Sequence, residues 1–220
     1  AMPRTAAAGS TPRTRLRRRP DRGAYDFAAL AAVLDAQPLV HVGYLLEGRP
    51  FVTPTLQWRE GERVYWHGSA ASRMLKAIAG QPVCLTVSLW DGLVLARSGF
   101  NHSVNYRSAM LFGEAEVVTD AAAKERHLEA FMERLFPGRW AELRPMTAKE
   151  VKATSVLSMP IAEGAVKVRS GGPKDDEADY GHPVWAGLLP LSTAVGAPED
   201  DGRLAPGVGL PDYLRRLSLG

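Results

Sequence analysis

Leu39-Val40-His41-Val42-Gly43-Tyr44-Leu45-Leu46, then Glu47-Gly48-Arg49-Pro50, then Phe51-Val52-Thr53-Pro54-Thr55-Leu56-Gln57-Trp58: this stretch decides the architecture. The outer segments are rich in β-branched and aromatic residues. The middle four are turn punctuation, so the whole reads as a β-hairpin. A second turn, Glu60-Gly61-Glu62, leads to a third strand at Val64-Tyr65-Trp66. Strands joined by such short turns run antiparallel.

Reading outward, the same grammar continues. Upstream, Asp26 caps a helix to about Ala36, with Phe27, Leu30, Ala31 and Leu34 on one face, and Pro38 ends it. Downstream, Ser69 opens a short helix over about 70–79, closed by Gly80. Val83, Leu85, Val87 and Leu89 alternate with Cys84, Thr86 and Ser88, as a half-buried strand does. Asp91-Gly92 signals a tight turn, from which Leu93 to Ala96 returns. Residues 98–105 read as a polar loop and 106–118 as a long strand. Thr119 or Asp120 caps a helix to about Leu135, with Leu128, Phe131 and Leu135 on one face, and Pro137-Gly138 breaks it. A shorter helix spans 147–153, and Val156 to Arg169 is a strand interrupted near Pro160. Residues 170–183 form a loop, Val184 to Leu191 is apolar, and the tail is rich in Pro and Gly. Such an order predicts an α+β, mainly β chain: a small antiparallel barrel of about six to seven strands with peripheral helices.

Composition narrows the class. The chain has 220 residues, 45% of them hydrophobic, enough for one full core. The formal charge of +3 is a property of one end: residues 1–23 hold seven of the 27 basic side chains and one acid, Asp21. This Arg-rich arm, residues 1–22, either tethers a polyanion or docks on its own domain or a sister subunit. The body lacks a basic stripe interleaved with aromatics, which favours docking and argues against nucleic acid. No run approaches the roughly 18 apolar residues of a membrane span, and the start lacks the apolar core of a secretory signal. A lone cysteine, Cys84, forms no internal disulfide and suits a reducing cytoplasm. The expected organisation is arm 1–22, barrel 23–192 and tail 193–220.

Common catalytic signatures are missing. No G-x-G-x-x-G, P-loop or G-x-S-x-G occurs, and the five histidines lack zinc-ligand spacing, so no metal site is expected. Three segments remain. Tyr65-Trp66-His67-Gly68-Ser69 leads into a helix carrying Ser72, Arg73 and Lys76, where free N–H groups and two cations suit a phosphate. An ordinary capped helix with a solvated basic face is the alternative. Asn101 to Ser108 is a polar cluster at a strand start: Arg107 and Ser108 suit a phosphate and Asn105 a heterocycle edge, or the loop satisfies its own backbone. Trp185, after a charged loop, either covers a planar ligand or closes the barrel end.

At these residues the chain resembles a known family. Arg22-Gly23-Ala24-Tyr25-Asp26, Tyr65-Trp66-His67-Gly68-Ser69, Ser72-Arg73, Asp91-Gly92-Leu93-Val94, Ser103-Val104-Asn105-Tyr106-Arg107-Ser108, Pro137-Gly138-Arg139 and Val184-Trp185-Ala186-Gly187 follow one another. In this order and spacing they resemble the nitroimidazole-resistance (Nim-like) branch of the pyridoxamine 5'-phosphate oxidase-like split barrels. The resemblance covers roughly residues 15–192. It implies a split β-barrel, a homodimer, and FMN at the dimer interface. It points to His67, Gly68, Ser69, Ser72, Arg73 and Lys76, and to Asn105, Tyr106, Arg107 and Ser108, as cofactor contacts. Thr53, Pro54 and Thr55 would line the flavin, Trp185 would lie near its ring, and His67 is the candidate reactive side chain. The implied activity is a cytoplasmic FMN-dependent oxidoreductase passing electrons to a small planar acceptor, as a nitroreductase does. Two alternatives stand beside it. One is a barrel holding haem, ligated by His67 or His102, or the deazaflavin F420. The other is a non-enzymatic flavin-binding or interaction module. The full substrate-binding set of pyridoxamine phosphate oxidases is not matched, which argues against vitamin B6 oxidation.

Overall fold

A computed structural model describes residues 10–217; the outer arm with Arg4, and residues 218–220 of the tail, lie outside the described residues. Ten strands form one antiparallel sheet. They are β1 (Gly23–Ala24), β2 (Leu39–Leu46), β3 (Arg49–Glu60), β4 (Arg63–Ser69), β5 (Pro82–Leu95), β6 (Ser103–Glu114), β7 (Glu116–Val117), β8 (Thr154–Pro160), β9 (Glu163–Arg169) and β10 (Gly187–Pro190). Their order is β1-β9-β6-β5-β2-β3-β4-β8-β7, with β10 added on β5. The helices α1 (Phe27–Ala36), α2 (Arg73–Ile78), α3 (Ala121–Leu135), α4 (Ala148–Ala153) and α5 (Asp212–Arg215) are peripheral. No helix among the described residues is long and apolar enough to cross a membrane.

The opening hairpin forms as its residues dictate: Leu39 pairs with Leu56 and Leu46 with Arg49, around Glu47 and Gly48 at positive φ. The sheet curls until the far end of β6 meets β8, where a Cβ on Gly113 would touch Met159. Gly80 N–H donates to Ala115 O at 2.7 Å and ties the end of α2 to the end of β6, and β7, just beyond, pairs with β8. The molecule is thus a split β-barrel. Leu30, Val33 and Leu34 of α1 plug it against Val42, Leu85, Leu111 and Val166. Gln57 fixes the plug, its Nε2 donating to Leu34 O and Gln37 O at 2.7 Å each. A second core lies under α3, made by Trp58, Tyr65, Leu128, Phe131 and Val156.

Three sequence expectations are corrected. Asp91-Gly92 is not a turn: β5 runs on through it, with a register shift between Trp90 and Gly92 against β6. The glycine serves close approach, because a Cβ there would sit 2.8 Å from Leu188 Cδ1 and 3.2 Å from Leu189 O in β10. The strand expected over 156–169 is two strands with different partners, β8 on β4 and β9 on β6. The helix expected over 70–79 is shorter, since Ser72 caps it by accepting from Leu75 N–H. The splitting of β8 from β9, with the short β1, β7 and β10, raises the strand count above the six or seven expected.

The arm docks on its own domain. Thr11 Oγ1 donates to Glu163 at 2.6 Å, Arg13 pairs with the same carboxylate and lies over the Phe112 ring, and Leu16 N–H donates to the Tyr25 hydroxyl at 2.8 Å.

Gly164 gives one test of the packing. A Cβ there would lie 2.9 Å from Met110 O, 2.8 Å from Leu111 and 3.0 Å from Leu30. Backbone cannot yield as a side-chain tip does, so Gly164→Ala is expected to cost about 1–3 kcal/mol in denaturant unfolding.

Candidate functional site

His67 lies on β4 two residues beyond Tyr65, on the same face. Its ring sits beside Phe131 of α3, 4.8 Å between centroids, and Trp58, 5.9 Å away. Trp58 in turn stacks on Tyr65 at 5.7 Å, and Tyr65 on His127 at 4.4 Å. Glu60 ties this box together, its Oε1 accepting from Trp58 Nε1 at 2.7 Å and meeting His127 Nδ1 at 2.9 Å. His67 Nδ1 is buried without a hydrogen-bond partner among the described residues. Burial pushes the His67 pKa below its usual 6.5, which keeps the imidazole neutral. A neutral imidazole with a free nitrogen is the form that ligates a metal.

That shift has a sign. Below about pH 6.5 the unfolded chain protonates His67 while the folded one resists. Folding stability is therefore expected to fall as pH drops from 6.5 towards the lowered folded pKa, and to be unaffected by this group above 6.5. Thermal melts of the wild type and His67→Gln between pH 7.5 and 5 check this; the wild type should lose the more.

Around His67 the structure gathers most of the first predicted set. Thr55 Oγ1 donates to His67 O at 3.4 Å, and Tyr44 bonds Thr53 at 3.1 Å. Pro54 is exposed on the opposite face of β3. Gly68 packs under Leu75 of α2, where a Cβ would come within 2.9 Å. Ser69 Oγ accepts from Ala71 N–H at 3.2 Å, and Ser72 is spent as the cap. Arg73 and Lys76 are exposed, and neither has an ion pair among the described residues.

The second set is engaged within the chain. Arg107 grips Asp91 with two bonds, Nε to Oδ2 at 2.9 Å and Nη2 to Oδ1 at 2.8 Å, so its charge is already compensated. Asn105 is buried between Arg169 and Gly171 O, and Ser108 Oγ donates to Lys167 O at 3.4 Å. Tyr106 is half-buried on β6 and pairs with Trp90. Trp185 packs on Gly187 just before β10 and stays 61% exposed. Strands β3, β2 and β5 separate this set from the β4–α2 set, and no hydrogen bond joins the two among the described residues. His102 is exposed, its Nδ1 2.8 Å from Ser98 O.

The sequence reading passed over the box of Trp58, Tyr65, His127 and Phe131. Its signals were present: Tyr65 and His67 alternate on one strand, and His127 and Phe131 stand four apart on α3, one face of a helix.

Comparison with known proteins agrees with this geometry. The profile of the family described as Pyridoxamine 5'-phosphate oxidase matches residues 26–168. The flavocytochrome Anf3 from Azotobacter vinelandii is 50% identical, with a TM-score of 0.91 over 96% of this chain and 98% of that one. A FAD- and heme-binding protein from Mycobacterium smegmatis is 38% identical, with a TM-score of 0.85 over 90% and 97%. A protein ascribed to 5-nitroimidazole antibiotic resistance, from Bacteroides thetaiotaomicron, shares the fold at 24% identity and a TM-score of 0.55, over 66% and 86%. No curated protein sequence matches the chain. Fold, motif order and profile converge: the chain belongs to the pyridoxamine 5'-phosphate oxidase family of split β-barrels.

Proposed function

We propose that this chain is a redox protein that binds a flavin and a haem, with His67 as the iron ligand. The observation that carries it is the His67 ring: walled by Trp58 and Phe131, kept neutral by burial, and left with an unpartnered buried nitrogen. The names of the two relatives with the highest identity given above support both cofactors. When bound, the flavin supplies electron-pair exchange and the haem single-electron exchange with a small acceptor, a planar one included.

The chain's own residues divide the work. Arg73 and Lys76, without an ion pair among the described residues, would hold a flavin phosphate. Thr53 and Thr55 would orient its ring from β3. The aromatic box would exclude water from the iron's His67 side. Either FMN or FAD presents the isoalloxazine and first phosphate to these groups; the Mycobacterium protein's name favours FAD.

Assembly as a homodimer is part of this reading. Leu45, Val52, Trp90 and Leu189 are exposed on strand faces, an apolar surface that a second copy would cover.

The test is the visible spectrum of the purified chain, before and after adding FAD and haemin and desalting. Flavin bands and a Soret band are expected to persist. Loss of both on desalting overturns the reading. Arg73→Ala with Lys76→Ala is expected to weaken flavin retention by about tenfold or more, and to leave the Soret band in place.

A further inference from the structure

The aromatic box holds an asymmetry that the iron-ligand reading does not use. The chain has five tryptophans, and their surroundings differ. Trp90 and Trp185 are each 61% exposed, and Trp140 is half-buried. Trp66 is fully buried, and its Nε1 has no hydrogen-bond partner among the described residues. Trp58 is equally buried, but its Nε1–H donates to Glu60 Oε1 at 2.7 Å. Among the described residues, no other indole N–H meets a carboxylate.

That bond decides what each indole does when an electron is taken from it. Oxidation leaves a positive charge on the ring, and a buried charge is costly unless a partner compensates it. The oxidised indole is also far more acidic at Nε1. At Trp66 neither the charge nor the proton has a destination. At Trp58 the Glu60 carboxylate faces the N–H, offsets the charge and accepts the proton. From there the proton has an exit. The Glu60 side chain is partly exposed and meets His127 Nδ1 at 2.9 Å, and His127 in turn reaches solvent. Tyr65 stacks on the same indole at 5.7 Å but suits oxidation less. Burial, then the Glu60 charge, push its pKa above the usual 10, so the phenol keeps its proton.

Trp58 also stands where an oxidant would act. Its ring lies 5.9 Å from that of His67, and Phe131 covers it at 4.8 Å. We propose that Trp58 is a redox-active residue: it gives one electron to a haem held by His67 when that haem reduces peroxide, and Glu60 takes the indole proton. This inference rests on the haem reading above. With ferrous iron at the start, the electrons balance. Reduction of hydrogen peroxide to two waters breaks the O–O bond and consumes two electrons and two protons. One electron comes from the iron, which becomes ferric, and the other from Trp58. The two protons come from solvent, while the indole proton passes to Glu60. A neutral indolyl radical is left in the box, shielded from water.

The test loads the full chain with haemin, confirms the Soret band, reduces the iron and adds one equivalent of hydrogen peroxide. Samples frozen at once are read by electron paramagnetic resonance. An organic radical is expected, and its signal should narrow when the tryptophans carry deuterated rings. At matched Soret absorbance, Trp58→Phe is expected to lose the signal and Trp90→Phe to keep it. Glu60→Gln is expected to lower its yield by about tenfold or more. After repeated peroxide additions, mass spectrometry should find oxygen added to buried Trp58 ahead of exposed Trp90 and Trp185. A Soret band without an indole radical overturns the proposal and leaves the haem reading standing. So does a signal unchanged in Trp58→Phe or Glu60→Gln, or oxidation that follows exposure. No Soret band at all rejects the haem reading, and this proposal with it.

Discussion

His67→Gln is expected to abolish the Soret band of the haemin-treated protein and to leave the flavin bands as they were. Glutamine keeps the approximate size and polarity of the position but offers no imidazole nitrogen to iron. Loss of a supporting group around a metal site costs roughly 10–100-fold in affinity, and loss of the ligand itself should exceed that. The control is His102→Gln. His102 is exposed, beside Ser98 O, and its replacement should change neither band. A full Soret band in His67→Gln would sink the ligand assignment, and its loss in His102→Gln instead would move the ligand to the turn just before β6. Simultaneous loss of flavin and haem would mean that the variant has damaged the barrel; a melt separates that case.

Trp58→Ala should have the largest effect on stability. Trp58 is 1% exposed and central to the core under α3. It contacts Tyr65, His67 and Phe131 and donates to Glu60. Removing a buried indole costs about 3–5 kcal/mol, against a typical total of about 5–15 kcal/mol. Trp58→Phe keeps most of the packing and loses the Nε1–H donor, so about 1–2 kcal/mol is expected. Urea unfolding of the two variants measures the difference. A cost below about 1 kcal/mol for Trp58→Ala would show that α3 does not depend on this ring. Because the same indole walls His67, haem affinity should fall in step with stability across the pair.

How far these features could be read from the sequence follows from the range of the forces that set them. The hairpin at residues 39–58 was legible because turn chemistry and strand pattern agree within a few residues. Asp91-Gly92 misled because its turn propensity is local, whereas its glycine answers to β10, nearly a hundred residues on. Pro160 marked a real break, but nothing nearby says that the strands on either side pair with opposite edges of the sheet. At the site, the Trp66-His67-Gly68-Ser69 string and its helix were visible as a motif. The partner of Arg107 was not, since Asp91 meets it across a strand register rather than along the chain. For the arm, seven arginines could serve a tether while the missing basic stripe favoured docking, and the reach of Thr11 and Arg13 to Glu163 shows docking.

The divergence of β8 and β9 at Pro160 governs how the molecule must assemble. The Arg63–Pro160 pairing closes one side of the seam, and the Gly23–Lys167 pairing covers the other edge. Both join early residues to segments that leave the ribosome late. Such distant pairings carry a high loop-closure cost and slow the search for the native state. The half-made sheet β2–β6 would then wait with its apolar interior and strand edges open, the condition that invites aggregation. Truncation before about residue 154 should therefore give insoluble protein rather than a smaller barrel. Refolding yield should be limited by how quickly β8 and β9 reach their separate partners, β4 and β6.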